Sequence, residues 1–561
     1  MMRVRAQARI LETAVFSFWV LGTCLPSPAQ TASTPASGNT GAAYRIAGTI
    51  VNQRDGSPLG RARVLASDTK DPKKYEWVIT AEDGRFQFTG LPAGKYSLTG
   101  TKRGFITGSY DQHGAFSTAI VTGAGIDTEN LVLKILPDAM ISGKVLDETG
   151  EPVRHALVNL YLDDHRQGIK EIHLVRNSIT DDLGAYELTR LAAGTYYLAA
   201  SGRPWYAVHP PVQPSEGNGQ KNPSVETRER SLDVVYPVTY YADVTEADSA
   251  TPISIQGGER VQLDVHLNPV PALRLVFHLP DGGNAVWLEQ TGFDHSAYVQ
   301  SIGQTSPGVW EITGVPAGRY NVHVQGAGSN PSLEMNAVEL TRDGEEIDTS
   351  SAQALSRVKV SVEVAGGAAL AQGVGVGLVA EGSTQNRWQQ VDRKGVAEID
   401  QVPAGRYEVT ALGPGKLYSI AKISADGTQI PGRTINVRAG SSPVLSLTLT
   451  GDSAENTELQ GTVKQAGKPF AGAMVVLVPR NPGENRDRFR RDQSDLDGTF
   501  RLPGVPPGVY TIVAIENGWD LNWAEPDGIG PYLTHGHGRR VDVEHQSGHP
   551  MKLADIEVES R

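Results

Sequence analysis

The sequence predicts an all-β protein built as five tandem Greek-key β-sandwich modules of the immunoglobulin-like kind. Three observations carry that reading: a short motif recurs five times at domain-sized spacing, hairpin-type alternation flanks the copies, and the composition is rich in turn formers. A chain of 561 residues is too long for one hydrophobic core, because single cores stop growing well short of that length. Its 62 glycines and 34 prolines would interrupt helices too often for an α-helical protein.

The motif reads Leu91-Pro92-Ala93-Gly94-Lys95-Tyr96, Leu191-Ala192-Ala193-Gly194-Thr195-Tyr196, Val315-Pro316-Ala317-Gly318-Arg319-Tyr320, Val402-Pro403-Ala404-Gly405-Arg406-Tyr407 and Val505-Pro506-Pro507-Gly508-Val509-Tyr510. Its tyrosines fall 100, 124, 87 and 103 residues apart, the size of whole domains rather than of solenoid repeats. Proline presets φ and the motif glycine is expected to take a positive φ, so the chain turns sharply and delivers each tyrosine to the start of a strand. Tyr96, Tyr196, Tyr320, Tyr407 and Tyr510 are therefore expected to form structural corners, ring buried and hydroxyl bonded to the backbone of the connection.

Strands bracket each corner. Upstream, Glu82-Asp83-Gly84 precedes Phe86 and Phe88, Asp182-Leu183-Gly184 precedes Tyr186 and Leu188, and Leu496-Asp497-Gly498 precedes Phe500 and Leu502, a polar turn followed by apolar residues at i, i+2. Downstream, Tyr96 with Leu98 and its four counterparts alternate in the same way. Further upstream lies a glycine-containing strand, Ile46 to Val51, Ile141 to Leu146 or Leu459 to Val463, and then an apolar strand such as Ala62 to Leu65. The expected boundaries are 44–136, 137–269, 270–350, 351–450 and 451–561. The third and fourth modules keep the corner but have lost much of the opening pattern, so they read as degenerate copies. Residues 207–230, with no period and many polar residues, read as a long loop inside the second module.

The N-terminus sets the compartment. Arg3, Arg5 and Arg9 precede an apolar run from Thr13 to Leu25, and Pro26-Ser27-Pro28-Ala29 has the form of a secretory cleavage site, so 1–29 is expected to be a signal peptide and 30–43 a linker. The alternative is a lipobox at Leu21-Gly22-Thr23-Cys24, with Cys24 lipidated. Cleavage after Ala29 removes the one cysteine, which leaves no disulfide or thiol chemistry. No later stretch is apolar enough for a transmembrane helix. The net charge of -12, or -14 without the first 29 residues, offers no basic footprint for nucleic acid.

The combination of Gly48, Gly56-Ser57-Pro58, Ala62-Arg63-Val64, Asp83-Gly84-Arg85-Phe86 and the Leu91–Tyr96 motif resembles the carboxypeptidase regulatory-like domain. Gly461, Gly467-Lys468-Pro469, Ala473-Met474-Val475, Asp497-Gly498-Thr499-Phe500 and the Val505–Tyr510 motif repeat the pattern in the fifth module. The resemblance implies a prealbumin-like, carbohydrate-binding-like sandwich, and the repeated copies resemble those of exported bacterial proteins. In carboxypeptidases the domain is an accessory, so the resemblance implies no catalytic role.

Chemistry-bearing motifs are sparse. None of the 13 histidines stands three residues before a glutamate, and His-Glu-x-x-His, Gly-x-Ser-x-Gly, P-loop and dinucleotide fingerprints are absent. His535-Gly536-His537, with His545 and His549 nearby, reads as a glycine-rich loop of solvated histidines, and Asp492, Asp495 and Asp497 read as hairpin chemistry rather than a calcium loop. No enzyme, cofactor or metal is expected. The candidate ligand contacts are aromatic: Trp519, Trp523 and Tyr532 after the last corner, and Trp205 with Tyr206 at the matching place in the second module, where flat rings on loops could stack on sugar faces. The reading is an exported, non-catalytic binder of polysaccharide or envelope glycans in the periplasm, at the outer-membrane surface or outside the cell. The alternative is a structural spacer or adhesin-type stalk with protein partners at the cell surface.

Overall fold

The computed structural model describes residues 43–165, 168–209, 232–281, 283–293, 296–298, 301–327, 330–381, 386–413, 418–450, 457–534, 538–544 and 549–560. The segment expected to be a signal peptide, with Cys24, nearly all of the expected linker, most of the 207–230 stretch, and His535, His537 and His545 lie outside them.

The first module has eight strands: β1 (Tyr44–Asn52), β2 (Arg63–Asp68), β3 (Tyr75–Ile79), β4 (Arg85–Leu91), β5 (Gly94–Thr101), β6 (Gly108–Ser109), β7 (Ile120–Thr122) and β8 (Leu131–Ile135). One sheet is β4-β1-β8, with β4 antiparallel and β8 parallel to β1; the other runs β3-β2-β5, with β6 and β7 on the far side of β5. Alternation decides the inner face. In β4, Phe86 and Phe88 point in and Arg85 and Gln87 point out, and the apolar set meets Ile46, Ile50, Val64, Leu98 and Leu133 between the sheets. Gly48 explains the glycine of the opening strand: a Cβ there would stand 2.1 Å from the carbonyl oxygen of Leu131, and at Gly143 it would stand 1.7 Å from that of Leu263.

The same plan recurs. In the second module Ala139–Leu146 lies between Ala185–Leu191 and the parallel Arg260–Gln262, while Leu157–Asp164 lies between Glu171–Ile179 and Gly194–Ser201. The third and fourth modules, degenerate by sequence, keep it in full: Leu273–His278 pairs with Val309–Val315 and, in parallel, with Glu345–Asp348, and Ser356–Val364 pairs likewise with Val396–Val402 and Val444–Thr450. In the fifth module Ile556–Glu559 pairs with both Thr457–Gln465 and Gly508–Ile515, joining the two sheets. The all-β tandem-sandwich expectation holds, and sheet topology proves more durable here than the strand motifs that signal it. Among the described residues no helix is long and apolar enough to cross a membrane.

All five corner tyrosines donate a hydrogen bond to the carbonyl four residues earlier, Tyr96 to Pro92 at 3.1 Å, Tyr196 to Ala192 at 2.9 Å, Tyr320 to Pro316 at 2.8 Å, Tyr407 to Pro403 at 2.9 Å and Tyr510 to Pro506 at 2.8 Å. Of the motif glycines only Gly508 takes a positive φ, at +158°, and the αL residue of each corner lies elsewhere. It stands one position before the motif, at Gly90, Arg190, Gly314, Gln401 and Gly504. The motif glycine instead lies beside the tyrosine ring, which comes within 3.3 to 3.7 Å of where a Cβ would stand. The turn is thus made earlier than the Pro-Ala-Gly sequence suggests.

Candidate functional site

The expected loop aromatics divide into two groups. In the fifth module the chain after the corner strand forms a bend and a helix, Pro526–Thr534, and the aromatics turn inward to a second core with Met474, Val476, Val513 and Ile529. Trp523 is 9% exposed. Its ring has the Arg491 guanidinium 4.6 Å from the centroid, Phe489 at 5.7 Å, and Gly168 of the second module so close that a Cβ there would stand 2.5 Å away. Trp519 stacks on His113 of the first module, centroids 4.7 Å apart and planes 5° apart, and Tyr532 packs partly buried against the same core. Expected as open stacking surfaces, Trp519 and Trp523 have ring faces taken by the protein itself. The reason is tertiary: the fifth module returns to pack on the first two.

A polar seam backs that contact. Lys95 pairs with Asp495, whose other oxygen accepts from the Ala119 amide at 3.0 Å, and Gln493 donates to the Asp111 carbonyl at 2.6 Å and to Thr118 at 2.8 Å. Asp492 accepts from the Arg501 amide at 2.7 Å and Asp497 from the Thr499 amide at 3.1 Å, so this acidic run serves the hairpin and the seam. Burial, with Asp495 adding to it, pushes the Asp492 carboxyl up to about 6. Burial also lowers Arg491 to about 10, which leaves it a cation among the rings of Phe116, Trp519 and Trp523.

In the second module Trp205 is 87% exposed, with Tyr206 edge-on at 5.8 Å. Tyr206 is fixed from below: its hydroxyl donates to Glu148, whose other oxygen accepts from Tyr236 at 3.0 Å. Desolvation, with Glu148 beside it, pushes the Tyr206 phenol up to about 12, so it stays a donor. The exposed ring therefore stands on an anchored neighbour.

A third aromatic surface, on the first module, was not anticipated. Tyr75, Trp77 and Ile79 lie on the outer face of the edge strand β3, 58%, 55% and 54% exposed. Register places Ser67, Leu65 and Arg63 beside them, then Ser97, Thr99 and Thr101, with Ser109 beyond. The Arg63 guanidinium carbon lies 5.9 Å from the Trp77 ring centroid, and the Thr99 and Ser109 hydroxyls are 3.1 Å apart. Alternation in Tyr75-Glu76-Trp77-Val78-Ile79 could have revealed it, since only Val78 is needed inside. Trp388 on the corresponding edge of the fourth module is 45% exposed and lies over Gly375.

Comparison with known proteins adds the following. Residues 45–125 match the family model of the carboxypeptidase regulatory-like domain. No curated protein sequence matches the chain. Among solved structures, the TIE protein of Bacillus anthracis is 12% identical over 74% of this chain and 76% of its own, with a TM-score of 0.17. A streptococcal ancillary pilin is 11% identical over 51% of this chain and 99% of its own, TM-score 0.21, and a minor pilin of Streptococcus agalactiae 12% over 41% and 97%, TM-score 0.21. Superpositions this loose carry no argument about function.

Proposed function

We propose that the chain is an exported, non-catalytic, multi-module protein that binds polysaccharide through its exposed aromatic faces, Tyr75 and Trp77 on the first module and Trp205 with Tyr206 on the second. The observation that carries this is the pair of rings on one face of β3, more than half exposed and bordered by Arg63 and rows of hydroxyls. Residues two apart on a strand stand about 6.5 to 7 Å apart, so the rings form a short apolar platform on a rigid sheet. Such a platform takes the flat face of a sugar ring while the flanking polar groups take its hydroxyls. Export rests on the Arg-flanked apolar segment before Ala29. The structural-spacer or adhesin-stalk reading draws support from the self-contained core of each module. The packing of the fifth module on the first two weighs against it, because a stalk needs contacts only between successive modules.

The test is retention of the mature protein on insoluble polysaccharides and on a glycan array, with Trp77→Ala, Trp205→Ala and Trp519→Ala/Trp523→Ala variants. Loss of about tenfold in affinity with Trp77→Ala or Trp205→Ala is expected. Retention lost only in the Trp519→Ala/Trp523→Ala variant would move the contact to the fifth module. No retention of the unaltered protein on any glycan would favour the spacer.

A further inference from the structure

We propose that the aromatic face of the first module selects acidic polysaccharide, with Arg63 taking the carboxylate of a uronate residue whose ring lies against Trp77. This rests on polysaccharide binding at that face and adds to it the charge of the ligand.

Strand alternation sorts the charges of this sheet between its two sides. On the outer face of β2, β3 and β5 the charged residues are Arg63 and Lys95, the other outward positions being apolar or hydroxyl-bearing. Lys95 is taken by Asp495 of the fifth module and by the Thr499 hydroxyl at 2.6 Å. Arg63 is exposed and pairs with no acid among the described residues. The acids of the adjoining turns have other partners: Asp71 is 3.6 Å from Lys74, Glu82 is 3.5 Å from Arg61 and Asp83 is 3.5 Å from Arg85.

The carboxylates within β2 and β3, Asp68 and Glu76, hold the alternate positions, on the side of Tyr96. They act there on its phenol, which is raised first by its own burial and then by these two charges. The outer face is thus left positive in a chain whose net charge is -12.

The place of that charge is what makes it selective. The Arg63 guanidinium carbon is 5.9 Å from the Trp77 ring centroid, within cation–π range, so the cation is held beside the surface on which a sugar ring would stack. Its planar fork of N–H donors fits a carboxylate with two parallel hydrogen bonds. A neutral sugar offers that fork only hydroxyls. Positive charge also stands at the other end of the row. Arg63 is opposite Ile79 in register, while Tyr75 follows directly on a turn carrying exposed Lys70, Lys73 and Lys74. Tyr75 and Ile79 are about 13 Å apart along the strand, so an acidic chain laid on β3 meets rings between two cationic ends.

The measurement is binding of the full mature chain, in a Trp205→Ala background that removes the exposed ring of the second module. The probes are polygalacturonate and polymannuronate, each beside its carboxyl-reduced, neutral form, in biolayer interferometry at low and high salt. At low salt the acidic forms are expected to bind at least about tenfold more tightly than the reduced forms, and salt should erode that preference. Arg63→Gln should abolish the preference and leave binding to the reduced forms within about twofold, whereas Trp77→Ala should weaken both. Arg63 is exposed, and an unchanged thermal melt of Arg63→Gln will show that the fold is intact. Equal binding of acidic and reduced forms by the chain with Arg63 in place, or a preference that survives Arg63→Gln, overturns the selectivity and leaves polysaccharide binding standing. Retention on neutral glycans with none on either polyuronate does the same. No retention on any glycan removes the polysaccharide reading and the selectivity together.

Discussion

The second and fifth modules place aromatic residues at the same point, just after the corner strand, and use them in opposite ways. Trp205 is 87% exposed, while Trp523 is 9% exposed between Arg491 and Gly168 of another module. Nothing in the immediate sequence separates the two cases: each is a Trp a few residues past a Gly at the end of the same kind of strand. The difference is that the fifth module has neighbours to pack against at that end. An aromatic residue on a loop is thus a ligand contact or an internal bolt according to what the rest of the chain brings to it.

The sharpest way to break this comparison is to truncate both rings. Trp523→Ala is expected to cost about 3 to 5 kcal/mol of unfolding free energy, as for a buried aromatic, and Trp205→Ala less than about 0.5 kcal/mol. Denaturant unfolding followed by circular dichroism measures both, and similar losses would mean that the two loops are equivalent after all. A smaller effect is expected at the other side of the bolt. Gly168 has φ of +74° and no room for a Cβ against Trp523, so Gly168→Ala should cost about 1 to 3 kcal/mol. It should also expose the Pro526–Thr534 segment to limited proteolysis; an unchanged digestion pattern would show that the second module does not hold the fifth.

An effect of comparable size is electrostatic. The folded-state carboxyl of Asp492, at about 6, lies above its ordinary range, so the native state binds this proton more tightly than the unfolded chain. Its contribution is fully present below the ordinary carboxylate range and is lost as pH rises to about 6. Asp492→Asn should therefore gain stability relative to the unaltered protein between about pH 4 and 6, by up to about 2 to 3 kcal/mol, and hold that gain above it. Melting temperatures of the two proteins across this range measure the difference, and parallel profiles would remove Asp492 from the seam's pH response.

Much of the fold was legible because its signals are local. The corner tyrosines, the Asp-Gly turns and the i, i+2 pairs each occupy a few residues, and their periods follow from backbone geometry alone. The position of the left-handed residue is not legible for a related reason: glycine is permitted positive φ but not obliged to take it, and Arg190 and Gln401 do so in two corners where no glycine marks the place. The candidate sites were less legible. Trp77 carries no loop signal, because an edge strand with one open face holds its outward aromatics in the same alternation that builds the core.

The sequence by itself determined that this chain makes β-sandwiches, where their corners fall, and that it carries one cysteine, Cys24, and no familiar catalytic motif. The tertiary structure decided which aromatics are left in the open and that the fifth module contacts the first two. The physical reason is range: turns and alternation depend on residues two to six apart, whereas exposure and the meeting of side chains depend on surfaces brought together from hundreds of residues away, as Lys95 meets Asp495.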